Sequence, residues 1–156
     1  MSITDLKNEV GESTLRMYFI WLATNGIYAI IWVFERYKIF NKMAGKEVVS
    51  RDLLLAMTVA LGLSSLFTYF SAMSENLEDA YILLIISGLA WVVWYVITVI
   101  ISFRFAKIMD EFYAKEFKLD LKFNFFYLLI FNFFYINYCV NELETIEIKH
   151  KFLRES

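Results

Sequence analysis

At 156 residues and 18.5 kDa the chain has room for one domain. Residues of the set AVILMFWYC make up 60% and aromatics 19%, with a mean hydropathy of +0.54 and no proline, against roughly 45–50% apolar residues in an average soluble domain. This composition excludes a disordered tail, a collagen-like chain and a disulfide scaffold and argues against a water-soluble enzyme, while a net charge of −2 supplies no basic field to attract nucleic acid.

The first fourteen residues, MSITDLKNEVGEST, hold a single base, Lys7, and lack the basic and apolar regions of a secretory signal. Insertion is therefore expected to depend on a spanning segment. Ile3, Leu6 and Val10 share one face and predict a short interfacial helix, capped by Ser2 and ended by Gly11. Four stretches free of Asp, Glu, Lys and Arg follow, at 17–34, 53–73, 81–103 and 123–141. Each is long enough for a bilayer-spanning helix of about 17–25 residues. Backbone polar groups in hydrocarbon must be satisfied within the segment, which selects helices here. The expected fold is all-α: a polytopic membrane protein, one four-transmembrane-helix bundle over residues 1–156. The third stretch is apolar throughout, whereas the fourth carries Asn124, Asn132, Asn137 and Asn141 and is the weakest candidate.

The connecting segments set the expected orientation. The stretches 35–52 and 104–122 each hold five bases, while SENLEDA at 74–80 holds none. The positive-inside rule puts both basic stretches in the cytoplasm, and four crossings then put both termini outside. A fourth segment that fails to cross would sharpen the count to 13 bases against 2. The first helix is expected to continue through ERYKIFNKMA to Gly45, Ser50 to cap the second, and the third to run on to about residue 117. That last extension rests on the i, i+3, i+4, i+7 stripe of Phe105, Ile108, Met109 and Phe112.

Sliding the chain by 107 residues pairs YFIWLATNGIYAIIWVFE at 18–35 with FFYLLIFNFFYINYCVNE at 125–142. Asn25 then falls on Asn132, Tyr28 on Tyr135 and Glu35 on Glu142. The shared element is an Asn followed three residues later by a Tyr. The segment ATNGIYAIIWVFERYKIFNKM resembles the hallmark of a family of small bacterial inner-membrane proteins of unknown function marked by a Phe-Gly-Ile-Tyr type segment, here with Asn25 at the Phe position. NFFYINYCVNELE is similar to that family's C-terminal end. The resemblance implies a helical protein of the bacterial inner membrane and implies no activity.

No base or nucleophile pair emerges for catalysis. Ser64, Ser65, Ser87 and Ser102 have no His or Asp at matching depth, and His150 stands in a charged tail without ligand-spaced partners. Cys139 is the sole cysteine and no nucleotide-binding motif occurs. Neither an enzyme, a cofactor nor a metal site is expected. The residues that stand out are small and hydroxylated ones at helix spacing: Thr58, Gly62, Ser65 and Tyr69 in the second span, and Ser87, Trp91, Tyr95, Thr98 and Ser102 in the third. Such stripes let helices approach closely and bond across the contact. The first expectation is that spans two and three pack through them, and that the chain acts by association in the lipid bilayer, with itself or with a membrane partner. The alternative is a small channel lined by Asn25, Thr58, Ser65, Thr98 and Asn132. Asn25, Tyr28, Asn132 and Tyr135 enter both readings as helix-contact or path-lining candidates; an amide in lipid needs a partner, so Asn25, Asn132 and Asn137 are each expected to form a helix-to-helix amide bond, within the monomer or between copies.

Overall fold

The computed structural model describes residues 3–118 and 121–155, with side chains through residue 148. Six helices follow in order: α1 (Ile3–Val10), α2 (Thr14–Ala23), α3 (Ile27–Ala44), α4 (Arg51–Met73), α5 (Leu77–Phe117) and α6 (Phe125–Glu155). No strand occurs among the described residues. Several ends lie where the sequence places them. Ile3, Leu6 and Val10 form the buried face of α1, and Gly45 ends α3 at a φ of 66°. The Ser50 hydroxyl accepts the Leu53 N–H at the start of α4, and α5 runs to Phe117. The Ser2 cap, and the side chains of Lys149, His150, Lys151 and Arg154, lie outside the described residues.

The antiparallel pair α4 and α5 is the axis of the fold. Among the described residues these are the two helices long and apolar enough to cross a membrane, with mean hydropathies of 1.9 and 2.4 over their most apolar stretches. Only 28% and 22% of those stretches are buried, whereas the core helix of a soluble protein would be mostly covered. The Ser64 and Ser87 hydroxyls lie 3.3 Å apart, Ser87 Oγ donates to the Ser64 carbonyl at 2.8 Å and lies 2.7 Å from Thr68 Oγ1, and Ser71 Oγ donates to the Ala80 carbonyl.

The first and fourth stretches depart from the four-span expectation, because each is broken by an asparagine. Asn25 and Gly26 take φ values of 48° and 89° between α2 and α3. Two successive residues in the left-handed region cannot continue a right-handed helix, so the chain turns. A continuous helix would set Glu12 and Arg36 ~36 Å apart at 1.5 Å per residue. Instead Arg36 Nε donates to the Val10 carbonyl at 2.9 Å, and its guanidinium lies 3.7 Å from the Glu12 carboxylate. Helices α2 and α3 therefore form a hairpin with Asn25 and Gly26 at its tip.

Asn132, at φ 38° and ψ −115°, interrupts α6 in the same way. The Tyr127 and Tyr135 rings meet at 5.4 Å, although eight helical residues would separate them by ~12 Å along the axis. Leu121, Lys122 and Phe123 share a recess with Tyr138, Cys139, Glu142 and Ile146. The chain before Asn132 thus runs back along the chain after it. In place of single spans over 17–34 and 123–141, the structure holds two helical hairpins.

The ends of the chain follow from these turns. Lys7 Nζ donates to Glu144 at 2.6 Å, Arg104 donates to the Val48 carbonyl, and the Asp110 carboxylate accepts the Leu121 N–H. These contacts gather α1, the 45–50 loop, the end of α5 and the later part of α6 at one end of the molecule. The Ser74–Asn76 turn lies at the other end of α4 and α5. This corrects the expected arrangement, in which residues before 17 and after 141 stood on the face opposite 35–52 and 104–122.

Candidate functional site

The hairpins are built on one device. In each, the asparagine turns the chain and the tyrosine three residues later ties the second arm to the beginning of the first. Tyr28 Oη donates to Glu12 Oε2 at 2.5 Å, and the Asn124 N–H donates to Tyr135 Oη at 3.2 Å. Asparagine tolerates positive φ better than most side chains. At the second turn the Asn132 carboxamide oxygen accepts the N–H of Phe133 at 2.7 Å, satisfying a donor that the break releases. At the first turn Thr24 takes that role: its hydroxyl accepts the Tyr28 N–H and donates to the Ile20 carbonyl. The internal echo in the sequence is thus an echo in backbone path.

The two hairpins are clasped at their base. Asn137 is fully buried, and its carboxamide holds both sides of residue 12: Oδ1 accepts the Glu12 N–H at 2.9 Å, and Nδ2 donates to the Glu12 carbonyl at 2.7 Å. Nδ2 also reaches Thr14 Oγ1, and Asn141 Nδ2 adds a second bond to the Glu12 carbonyl at 2.8 Å. The chain passes so closely that a Cβ on Gly11 would lie 2.6 Å from Asn141 Oδ1 and 2.5 Å from the Lys7 carbonyl oxygen. Around the clasp, Glu12 is flanked by Arg36 and Arg16, and Arg36 lies 4.9 Å over the Trp32 ring. Here a charged pair, 11% and 15% exposed, retains several hydrogen bonds, the condition under which burial of charge is tolerated.

At the tip of the first hairpin a recess of about 410 Å³ opens between Trp21, Asn25 and Gly26 on one side and Leu61, Ser64, Ser65, Thr68, Trp91 and Trp94 on the other. A nearly apolar recess of about 500 Å³ adjoins it, walled by the same three tryptophans with Tyr18, Tyr95, Asn132 and Phe134. The indole N–H groups of Trp21, Trp32 and Trp94 are buried without an acceptor. No group of three His, Cys, Asp or Glu side chains able to hold a metal occurs among the described residues.

The hydroxyl residues singled out in sequence divide. Ser87 lies at the contact of α4 with α5. Thr98 and Ser102 are buried but donate within their own helix, to the Trp94 and Thr98 carbonyls. Tyr95 bridges to the second hairpin through the Leu129 carbonyl, and Trp91, expected at a helix contact, is half exposed while Trp94 is buried. Thr58, Gly62, Ser65 and Tyr69 do not face α5: all four are exposed, because α4 turns the adjoining face of Ser64 and Ser71 to its neighbour. Asn25, exposed at the tip, makes no side-chain bond to another helix among the described residues, and Asn132 bonds locally. Asn137 does bond through its amide, but to the backbone of Glu12 in the link between α1 and α2 and not to another helix's amide. No family model, curated protein or solved structure matches the chain.

Proposed function

We propose that this is a non-enzymatic integral membrane module with two spanning helices, α4 and α5, and two hairpins that enter the bilayer from the cytoplasmic side, and that it acts by association through the uncovered face of α4. The distribution of charge carries this reading. The 74–80 turn holds Glu75, Glu78 and Asp79 and no base, whereas the twelve Lys and Arg residues from Lys7 to Lys122 all lie elsewhere, toward the end where α1 meets α6. Turning the first and fourth stretches back makes the positive-inside asymmetry complete.

Depth agrees with it. Gly26 at the first tip lies against Leu61 and Trp94, which are nine residues from Asp52 and ten from Arg104, or ~14–15 Å along the helices. The ten residues of α2 reach the same distance, about half of a ~30 Å hydrocarbon core. The hairpins also present lipid-compatible surfaces: Leu15 and Phe126 are 68% and 67% exposed, and Phe19, Leu22 and Ile130 are exposed beside them. The bacterial inner membrane is the compartment that the sequence resemblance implies.

Association is supported by the exposed stripe of Thr58, Gly62, Ser65 and Tyr69. A Cβ at Gly62 would meet no atom within 4 Å, so this face is open for the close approach that small residues permit between helices. Single-molecule photobleaching of the labelled chain in lipid should show oligomers that Gly62→Leu disperses without loss of helix content. Unchanged step counts would refute association through this face. The channel reading is weaker, because its lining residues share no lumen: Asn25 and Ser65 border one recess, Asn132 another, and Thr98 is buried. Solute flux through liposomes that Asn25→Leu abolishes would reverse that order.

A further inference from the structure

We infer that the protein acts on the bilayer itself, as a wedge confined to one leaflet that drives or senses curvature convex toward its basic face; the inference rests on the half-depth reading of the two hairpins. The number of helical rods at each depth carries it. Below the tips at Asn25 and Asn132 the cytoplasmic half of the bilayer holds six rods, namely α2, α3, α4, α5 and the two arms of α6. Among the described residues, α4 and α5 alone continue beyond the tips. Their side chains there lie open, Tyr69 at 60%, Ile85 at 63% and Leu89 at 63% exposure.

A helix with its side chains is about 10–12 Å across, so four extra rods add roughly 300–450 Å² of cross-section to one leaflet and none to the other. The clasp at Glu12 holds the two hairpins together at their base. The added area is therefore delivered as one rigid block, and a rigid difference in area between leaflets is relieved by bending the sheet around the wider side. The helix α1, whose apolar face packs onto α6, lies at the same end as that wider side.

The test uses the full chain, labelled and reconstituted in giant vesicles of neutral phospholipid from which membrane tubes of set radius are pulled. The same vesicles are labelled at single introduced cysteines, in a Cys139→Ser background, to fix both topology and orientation. Molecules with the basic face on the convex surface should be enriched on the tube relative to the vesicle, with the ratio rising as the tube narrows. Molecules inserted the other way should be depleted from it. Equal densities on tube and vesicle in both orientations, with residues 7 and 144 labelled on the face opposite residue 76, overturn the wedge and leave the topology standing. Label at residues 7 and 76 on one face overturns the topology, and the wedge with it.

Discussion

Replacing Asn137 with alanine tests the element on which the arrangement of the two hairpins depends. The side chain is fully buried and makes three hydrogen bonds: from the Glu12 N–H, to the Glu12 carbonyl and to Thr14 Oγ1. At about 1 kcal/mol net for each bond, the loss amounts to about 3 kcal/mol. The orphaned Glu12 N–H adds a desolvation cost of about 1–3 kcal/mol. Asn141→Ala removes one bond, to a carbonyl that Asn137 still serves, and should cost about 1 kcal/mol. Unfolding measured by steric trapping in bicelles should therefore rank Asn137→Ala at least about twofold above Asn141→Ala in destabilisation, with faster hydrogen exchange at residues 11–14. Equal and small effects for the two variants would refute the clasp.

Other expectations concern the same region. Gly11→Ala should loosen α1 from α6, because the added Cβ would lie 2.5 Å from a carbonyl of its own chain and 2.6 Å from Asn141; spin labels on residues 4 and 148 should report a lengthened distance. The Glu144 carboxylate is held below its ordinary pKa chiefly by its hydrogen bond to Lys7. A depressed carboxylate contributes stability that is present above the unfolded pKa and fades as pH falls through the folded one. Docking of α1 on α6 should accordingly weaken on acidification below the normal carboxylate range and be unchanged between pH 6 and 8, and Glu144→Gln should remove that dependence. Ser87→Ala strips the α4–α5 contact of its shared hydroxyl and should cost about 1 kcal/mol in the same unfolding assay.

Much of this arrangement is legible in sequence, and the failures have a common cause. The second and third stretches are legible as long apolar helices because apolar length is a local property, and the ends at Gly45, Ser50 and Phe117 follow from capping and periodicity. The absence of charge over 17–34 and 123–141 is equally visible, but it measures how apolar a segment is and not its direction of travel. A hairpin that enters and leaves by one face needs the same uncharged residues as a single crossing. The signals that separate the two were present: an Asn-Gly pair inside an apolar run, and an asparagine repeated at the matching position of the echo. Both report backbone reversal where the residues are weighed for their φ preference, and neither does where they are read as polar side chains in need of partners.

The hydroxyl stripe on α4 failed for another reason. Thr58, Gly62, Ser65 and Tyr69 share a face, but periodicity cannot say which of two neighbouring faces meets α5, and Ser64 with Ser71 lie on the other one. The Asn137 clasp is non-local, linking residues 125 apart in the chain, and no spacing rule encodes it.

Cysteine accessibility across the membrane tests the central claim most directly. In a Cys139→Ser background, single cysteines at positions 7, 42, 76, 107 and 144 of the reconstituted full chain are exposed to an impermeant maleimide from one face and then the other. The account predicts that 7, 42, 107 and 144 react from one face and 76 alone from the opposite one. Reaction of positions 7 and 144 from the same face as 76 would show that residues 17–34 and 123–141 cross the bilayer, and would contradict it.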